Sequence, residues 1–138
     1  MRVTEVPPSV GYAVGVFDLI NVGHLDVLAA ARRHCDRLVV GVLTDEWAER
    51  ILGVRPVVPL REREQIVHRL RSVDATVVVG HTVPDDAADL VFHCPGDVLA
   101  EPEPLATAAL VELPPGRPTA SPVLRAALDR TRSRSSVA

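Results

Sequence analysis

Residues 11–35, GYAVGVFDLINVGHLDVLAAARRHC, constrain the fold most strongly because they read as a strand, a short turn and the start of a helix. Residues 10–16 are almost entirely apolar, as expected of a strand covered on both faces. From His24 onward the apolar residues fall at helical spacing, so a helix N-terminus is predicted at Gly23 and His24. Such a terminus presents unpaired backbone N–H groups and the positive end of the helix dipole, which favour bound anions.

The remainder of the chain alternates predicted strands with predicted helices. Further strands are predicted at residues 37–43, 75–79, 90–92 and 108–113, and further helices at residues 45–52, 60–73 and 123–130. This alternation predicts an α/β fold, a Rossmann-like three-layer sandwich with a mostly parallel five-stranded sheet. In such sheets ligands bind beyond the carboxyl ends of the strands, which is where the turn before His24 is expected.

Length and composition set the broad class. A chain of 138 residues is expected to form a single domain, with residues 1–9 as an N-terminal arm and residues 131–138 as a disordered tail. Aromatic residues are only 3% of the chain, so the core must be mainly aliphatic. A net charge of -3 gives no reason to expect nucleic acid. No signal peptide or run of 18 apolar residues is visible, so a cytoplasmic location is expected and no membrane partner.

The two cysteines, Cys35 and Cys94, lie far apart and form no metal-binding spacing. They are predicted to be reduced and buried. His93 stands next to Cys94 and His81 is nearby, but neighbouring strand residues point to opposite faces of a sheet. No metal ligand is therefore predicted in the protein itself.

GVFDLINVGH, at residues 15–24, resembles the signature of the nucleotidyltransferase superfamily whose motif is His-x-Gly-His, particularly its glycerol-3-phosphate cytidylyltransferase-like branch. CDRLVVGVLTDEWAE at residues 35–49 and RPVVPLRERE at residues 55–64 are similar to two further blocks of that branch. His24 matches the second histidine of the motif. Asn21 stands where the family has the first.

The resemblance implies transfer of CMP from CTP to a small phosphate- or phosphonate-bearing acceptor, with release of pyrophosphate. It also implies Mg²⁺ bound with the nucleotide, and a homodimer. Two alternatives stay open. Asn21 and the altered segment at residues 93–97 allow a nucleotide-binding protein with degenerate or no transferase activity, and adenylyl transfer from ATP shares the same core motif.

The resemblance also assigns residues to the site. His24 is expected to be exposed at the helix start and to donate to the phosphates. Asn21 can donate one hydrogen bond to an α-phosphate oxygen but cannot become cationic. Asp18 is predicted to orient the turn by accepting bonds from backbone N–H groups. The predicted nucleotide-binding set is Gly15, Val16, Phe17, Asp18, Gly23, Asp97, Thr119 and Ser121.

Two arginines complete the predicted catalytic set with Asn21 and His24. Arg55 lies where the branch has a lysine, and a guanidinium fork grips phosphate oxygens well. Arg63, on the helix predicted at residues 60–73, is expected to reach over the edge of the sheet toward the triphosphate. Thr119 lies in the turn before the last predicted helix, and Ser121 is its predicted N-cap. Two hydroxyls beside a helix N-terminus could hold a phosphate.

Overall fold

In the computed structural model, residues 8–80, 88–96, 98–100, 108–118 and 121–135 are described. The strands are β1 (Val10–Gly15), β2 (Arg37–Leu43), β3 (Ala75–Val79), β4 (Leu90–His93) and β5 (Ala109–Glu112). The helices are α1 (Val22–Arg32), α2 (Asp45–Leu52), α3 (Leu60–His68) and α4 (Ser121–Ser135). Among these helices, none has both the length and the apolarity that crossing a bilayer requires.

The five strands form one sheet in the order β3-β2-β1-β4-β5, and every pairing is parallel. The chain moves outward from β1 through β2 to β3, then returns to place β4 on the other side of β1. The strand order therefore reverses at β1 and β4, and a crevice at such a point is where ligands bind in open α/β sheets. The predicted α/β fold is confirmed.

The core lies in two layers, one on each face of the sheet. On one face β1 and β2 pack against α1 and α3, through buried aliphatic side chains that include Val27, Leu28 and Val67. On the other face a smaller cluster is built around Tyr12, Leu43 and the Ala48 side chain of α2. Because both faces are covered, the central strands read as continuous apolar runs.

Helix lengths depart from the sequence prediction at two places. Helix α3 ends at His68, short of the predicted residue 73, because the chain tightens into bonds such as Leu70 N–H to Val67 C=O (3.1 Å). Helix α4 extends to Ser135, although fraying was predicted from residue 131. The alanine, leucine and arginine residues that favour helix lie mainly before residue 131, and the helix they begin continues through the next five residues. Residues 1–7 of the predicted arm and residues 136–138 of the predicted tail lie outside the described residues.

Gly11 lets two buried side chains of one core layer approach β1 closely. A Cβ built on Gly11 would lie 2.5 Å from the Cε2 atom of Phe92 and 2.7 Å from the Sγ atom of Cys35. Both neighbours are buried, so neither can move aside freely. Gly80 offers a comparison, because a Cβ there would meet nothing within 4 Å.

We therefore expect Gly11→Ala to lower the free energy of unfolding by about 1–3 kcal/mol, the usual cost of forcing extra volume into a packed core. Gly80→Ala is the matched control and should change it by less than about 0.5 kcal/mol. Urea denaturation of both variants measures the difference. Equal stability of the two variants would show that the packing around Gly11 is not tight.

Candidate functional site

The turn that follows β1, residues 16–20 and called here the site turn, has an unusual backbone. Phe17 has a φ of 54° and Leu19 a φ of 50°, in the left-handed region that residues other than glycine rarely occupy. Each such residue costs on the order of 1–3 kcal/mol and persists only where its surroundings over-determine the conformation. Gly15, just before the turn, is also confined: a Cβ there would lie 2.8 Å from the carbonyl oxygen of Val98.

Helix α1 begins immediately after the site turn with a reciprocal capping arrangement. The Oδ1 atom of Asn21, the N-cap residue, accepts a hydrogen bond from the backbone N–H of Gly23 (2.8 Å). The Nδ1 atom of His24 accepts from the backbone N–H of Asn21 (3.2 Å), which completes a capping box. The Nδ2 atom of Asn21 also donates to the carbonyl oxygen of Leu19 (3.3 Å). Asn21 thus joins the site turn to the helix.

The capping bond decides the chemical form of His24. Because Nδ1 accepts a hydrogen bond, the neutral ring carries its proton on Nε2, and Nε2 is the donating nitrogen. The ring lies 5.9 Å from the Phe17 ring, centroid to centroid, and His24 is only 9% exposed. The prediction that His24 is exposed was wrong. The capping bond and the Phe17 ring hold it against the protein.

Asp18 links the site turn to a distant segment. Its Oδ2 atom accepts from the backbone N–H of Val57 (2.7 Å) and its Oδ1 atom from that of Val58 (2.9 Å), and the residue is 3% exposed. These two residues belong to the connection between α2 and α3, residues 54–59, called here the Arg55 loop. Asp18 accepts hydrogen bonds from backbone N–H groups, as predicted. The donors named here belong to the Arg55 loop, so the carboxylate joins that loop to the site turn.

Arg63 lies beneath the site turn and is 0% exposed. Its Nη1 atom donates to the carbonyl oxygens of Val16 (2.6 Å) and Leu43 (2.9 Å), and its Nε atom to that of Val58 (2.8 Å). Its Nη2 atom donates to Oδ1 of Asp45 (2.6 Å). The side chain does reach over the edge of the sheet. Its donors are directed to protein oxygens there, because the site turn, the end of β2, the start of α2 and the Arg55 loop meet around the guanidinium.

Arg55 has the opposite environment. Its side chain is 53% exposed and lies among carboxylates of α2, with nitrogen-to-oxygen distances of 3.4 Å to Glu49, 3.6 Å to Glu46 and 3.8 Å to Asp45. Exposed ion pairs of this kind contribute little to stability. Arg55 is therefore held loosely and can exchange these carboxylates for another anion.

The segment after β5 crosses the start of α1. A Cβ on Gly116 would lie 2.5 Å from the carbonyl oxygen of Gly23, so the two backbones touch. Arg117 donates to Asp26 through its backbone N–H (3.0 Å), Nε (2.8 Å) and Nη2 (2.9 Å). These bonds lower the pKa of the Asp26 carboxyl and raise the pKa of Arg117. Sequence reasoning missed this contact, because nothing in the sequence brings residues so far apart together.

Three predicted site residues cannot be placed by contacts. Asp97 and Thr119 lie outside the described residues, and Ser121 begins α4 without a described side chain. Within the described ranges, no group of three or more histidine, cysteine, aspartate or glutamate side chains is arranged to hold a metal ion. Cys35 and Cys94 are free and buried, as predicted, and burial raises the pKa of each thiol.

Arg63 generates a direct prediction about stability. Arg63→Ala leaves the Asp45 carboxylate and three carbonyl oxygens without this partner, so the free energy of unfolding should fall by about 3–5 kcal/mol, as for other broken buried ion pairs. Arg61→Ala is the control, because Arg61 is an exposed neighbour on the same helix. Urea denaturation compares them. A loss below about 1 kcal/mol for Arg63→Ala would contradict its place in the core.

Comparison with known proteins identifies the protein family to which this site belongs. The family described as cytidylyltransferase-like matches residues 12–109, which include most of β1, the site turn, α1, the Arg55 loop and Arg63. The chain therefore belongs to the cytidylyltransferase-like family, a family of nucleotidyltransferases. The expected superfamily is confirmed at this level.

Curated relatives share the same part of the chain. The bifunctional protein HldE of Gluconacetobacter diazotrophicus is 46% identical over 76 residues, which are 54% of this chain and 16% of the relative. The bifunctional protein HldE of Acidiphilium cryptum is 39% identical over 93 residues, which are 67% of this chain and 18% of the relative. The chain thus matches less than a fifth of the length of these relatives.

A solved structure has the same fold. The lipopolysaccharide core biosynthesis protein of Thermoplasma volcanium superposes with a TM-score of 0.67 and 20% sequence identity, over 80% of this chain and all of that protein. The likeness supports the Rossmann-like arrangement of sheet and helices.

Proposed function

We propose that this protein transfers a nucleoside monophosphate from a nucleoside triphosphate to a small acceptor that bears a phosphate or phosphonate, with release of pyrophosphate. The observation that carries the proposal is the site turn with the capped start of α1. The end of β1 and the N-terminus of α1 meet there, at the point where the strand order reverses. His24 lies at this helix start with Nδ1 as an acceptor, which leaves Nε2–H as the donor.

The reaction needs little covalent chemistry from the protein. An oxygen of the acceptor attacks the α-phosphorus in line, a new P–O bond forms, and the bond to the pyrophosphate oxygen breaks. Catalysis then rests on positioning and on donors directed at the oxygens where negative charge grows. The Nε2–H of His24 supplies one such donor, and the backbone of Gly15, Val16 and Phe17 lines the approach of the phosphates. Arg55 would neutralise the outer phosphates.

Magnesium fits this site only as part of the nucleotide. When bound, Mg²⁺ neutralises charge on the triphosphate oxygens. Asp18, the carboxylate of the site turn, already accepts two backbone N–H bonds. Within the described residues no carboxylate cluster replaces it as a set of metal ligands.

The two candidate nucleotide substrates, CTP and ATP, differ in their base. CTP is the donor that the sequence resemblance implies, whereas the curated relatives carry the name HldE and not the name of a cytidylyltransferase. ATP is therefore tested beside CTP. The proposal includes a homodimer, by resemblance alone, and sedimentation measures it.

The deciding experiment is pyrophosphate release with phosphorus NMR, using CTP and ATP with Mg²⁺ against a panel of phosphorylated small alcohols, phosphorylated sugars and phosphonates. Turnover with one nucleotide and one acceptor supports the proposal and identifies both substrates. Nucleotide binding without turnover across the panel would instead favour a binding protein. Absence of binding by both nucleotides at millimolar concentration would overturn the proposal.

His24→Gln tests the donor while keeping the fold. Glutamine at this position of a capping box accepts the bond from the Asn21 backbone N–H, so the stability of α1 should be preserved within about 1 kcal/mol. Turnover should fall at least about tenfold, because the glutamine carboxamide can donate an N–H but, unlike imidazole, cannot become cationic as negative charge develops on the phosphates. His34→Gln, at an exposed histidine after α1, is the control. Turnover comparable to wild type in His24→Gln would remove His24 from the catalytic set.

Asn21 is tested with two variants that separate capping from catalysis. Asn21→Ser keeps an N-cap oxygen but removes the carboxamide N–H groups, so stability should be retained while turnover falls about tenfold, or 1.4 kcal/mol of barrier. Asn21→Ala should lose turnover as well and, in addition, about 1 kcal/mol of stability. Thermal unfolding and initial rates measure the two effects. Full turnover in Asn21→Ser would assign Asn21 to capping alone.

A further inference from the structure

We propose that Asp18 and Arg63 are positioning residues: together they clamp the Arg55 loop to the site turn, and neither touches the nucleotide. The proposal rests on the proposed function, because it assigns these residues a role in placing Arg55 for a triphosphate. It departs from the sequence prediction, which placed Asp18 in the nucleotide-binding set and Arg63 in the catalytic set.

The first half of the clamp is the Asp18 carboxylate. Each of its oxygens accepts from the backbone N–H of one of two consecutive loop residues, Val57 at 2.7 Å and Val58 at 2.9 Å. A buried carboxylate turned toward a triphosphate would repel it. Bonds from two N–H dipoles of the loop instead stabilise the negative charge of the Asp18 carboxylate. The arrangement therefore suits a residue that holds the loop and not one that contacts the nucleotide.

The second half of the clamp is the Arg63 guanidinium, which binds the same two segments, the Arg55 loop and the site turn. It donates to the carbonyl oxygen of Val58 in the loop and to that of Val16 in the site turn. Val58 is thus held at its N–H by Asp18 and at its carbonyl by Arg63. Hydrogen bonds from Val58 to Asp18, from Arg63 to Val58 and from Arg63 to Val16 connect the loop and the site turn in a closed circuit. This circuit restrains the loop backbone relative to the turn.

The clamp matters for chemistry because Arg55 lies only three residues before Val58. Its own side-chain contacts are exposed and long, from 3.4 to 3.8 Å, so they do not determine where it lies. The position of the loop backbone determines it instead. With the backbone held, Arg55 can leave the carboxylates of α2 for phosphate oxygens without moving the loop.

Asp74 provides a matched control within the same sheet. Its Oδ2 atom accepts from the backbone N–H of Leu38 (2.8 Å) at the start of β2, so it makes a carboxylate-to-backbone bond of the same kind. It also pairs with Arg32 (3.1 Å). The start of β2 is the end of the sheet opposite the site turn. Loss of this bond should affect local stability and leave nucleotide binding unchanged.

The first arm of the test needs no nucleotide. Asp18→Asn keeps the shape of the side chain but places an amide nitrogen against one loop N–H. Amide hydrogen exchange at Val57 and Val58 should become at least about tenfold faster, with Leu38 unchanged, and Asp74→Asn should give the reverse pattern. Unchanged exchange at both loop residues in Asp18→Asn overturns the clamp. If Asp18→Asn does not fold, Arg63→Lys replaces it, because lysine lacks the fork needed to reach all of the oxygens.

The second arm is a double-mutant cycle on nucleotide affinity, measured by calorimetry with CTP and with ATP in the presence of Mg²⁺. Asp18→Asn should weaken binding about tenfold in the wild-type background and less than about twofold in an Arg55→Ala background, because its effect passes through Arg55. Equal losses in both backgrounds would mean that Asp18 contacts the nucleotide directly, and would overturn the proposal. An Arg55→Ala variant with wild-type affinity would overturn it too.

The two arms separate the failure of this inference from the failure of the proposed function. If the wild type binds neither nucleotide, the proposed function is wrong and Arg55 has no triphosphate to meet. The exchange arm then still decides whether Asp18 holds the loop. If the nucleotide binds and the exchange or cycle result is negative, only the positioning role is wrong.

Discussion

The rest of the structure depends on one buried guanidinium. Arg63 joins the end of β1, the end of β2, the start of α2 and the Arg55 loop through donors to Val16, Leu43, Asp45 and Val58. A buried cation is costly to desolvate unless its donors are satisfied. Here a planar fork with several N–H groups meets oxygens from four segments at once, a geometry that an ammonium cannot reproduce. The carboxyl edge of the sheet is organised around this residue.

That organisation explains how the site turn keeps its backbone. Phe17 and Leu19 occupy the left-handed region although neither is glycine, so their backbone is strained. The strain is opposed by contacts on both sides of the turn, from Arg63 at Val16 and from Asn21 at Leu19. Strained backbone held in this way is typical of sites that must present groups in one geometry. In this family member it presents the start of α1 and His24.

The asparagine at position 21 is consistent with the same requirement. Asparagine is among the best N-cap residues, and Asn21 uses its oxygen for the cap and its nitrogen for Leu19. His24 then completes the capping box and acquires a defined tautomer. Asn21 thus holds the helix start, while His24 keeps its Nε2–H as a donor.

The sequence by itself determined the fold class, the site turn and the family. Continuous apolar runs, a glycine-bearing strand end and helical spacing after residue 23 suffice for the fold class and the turn, because periodicity is a property of neighbouring residues. The family followed from the resemblance of residues 15–24, 35–49 and 55–64 to its motif blocks. Only the tertiary structure decided what Asp18, Arg63, Arg117 and His24 contact, since their partners lie far away in the chain or depend on a rotamer. Arg55 and Arg63 have the same chemistry and lie eight residues apart. Which of them is buried was set by where β1 and β2 end and α2 begins in space.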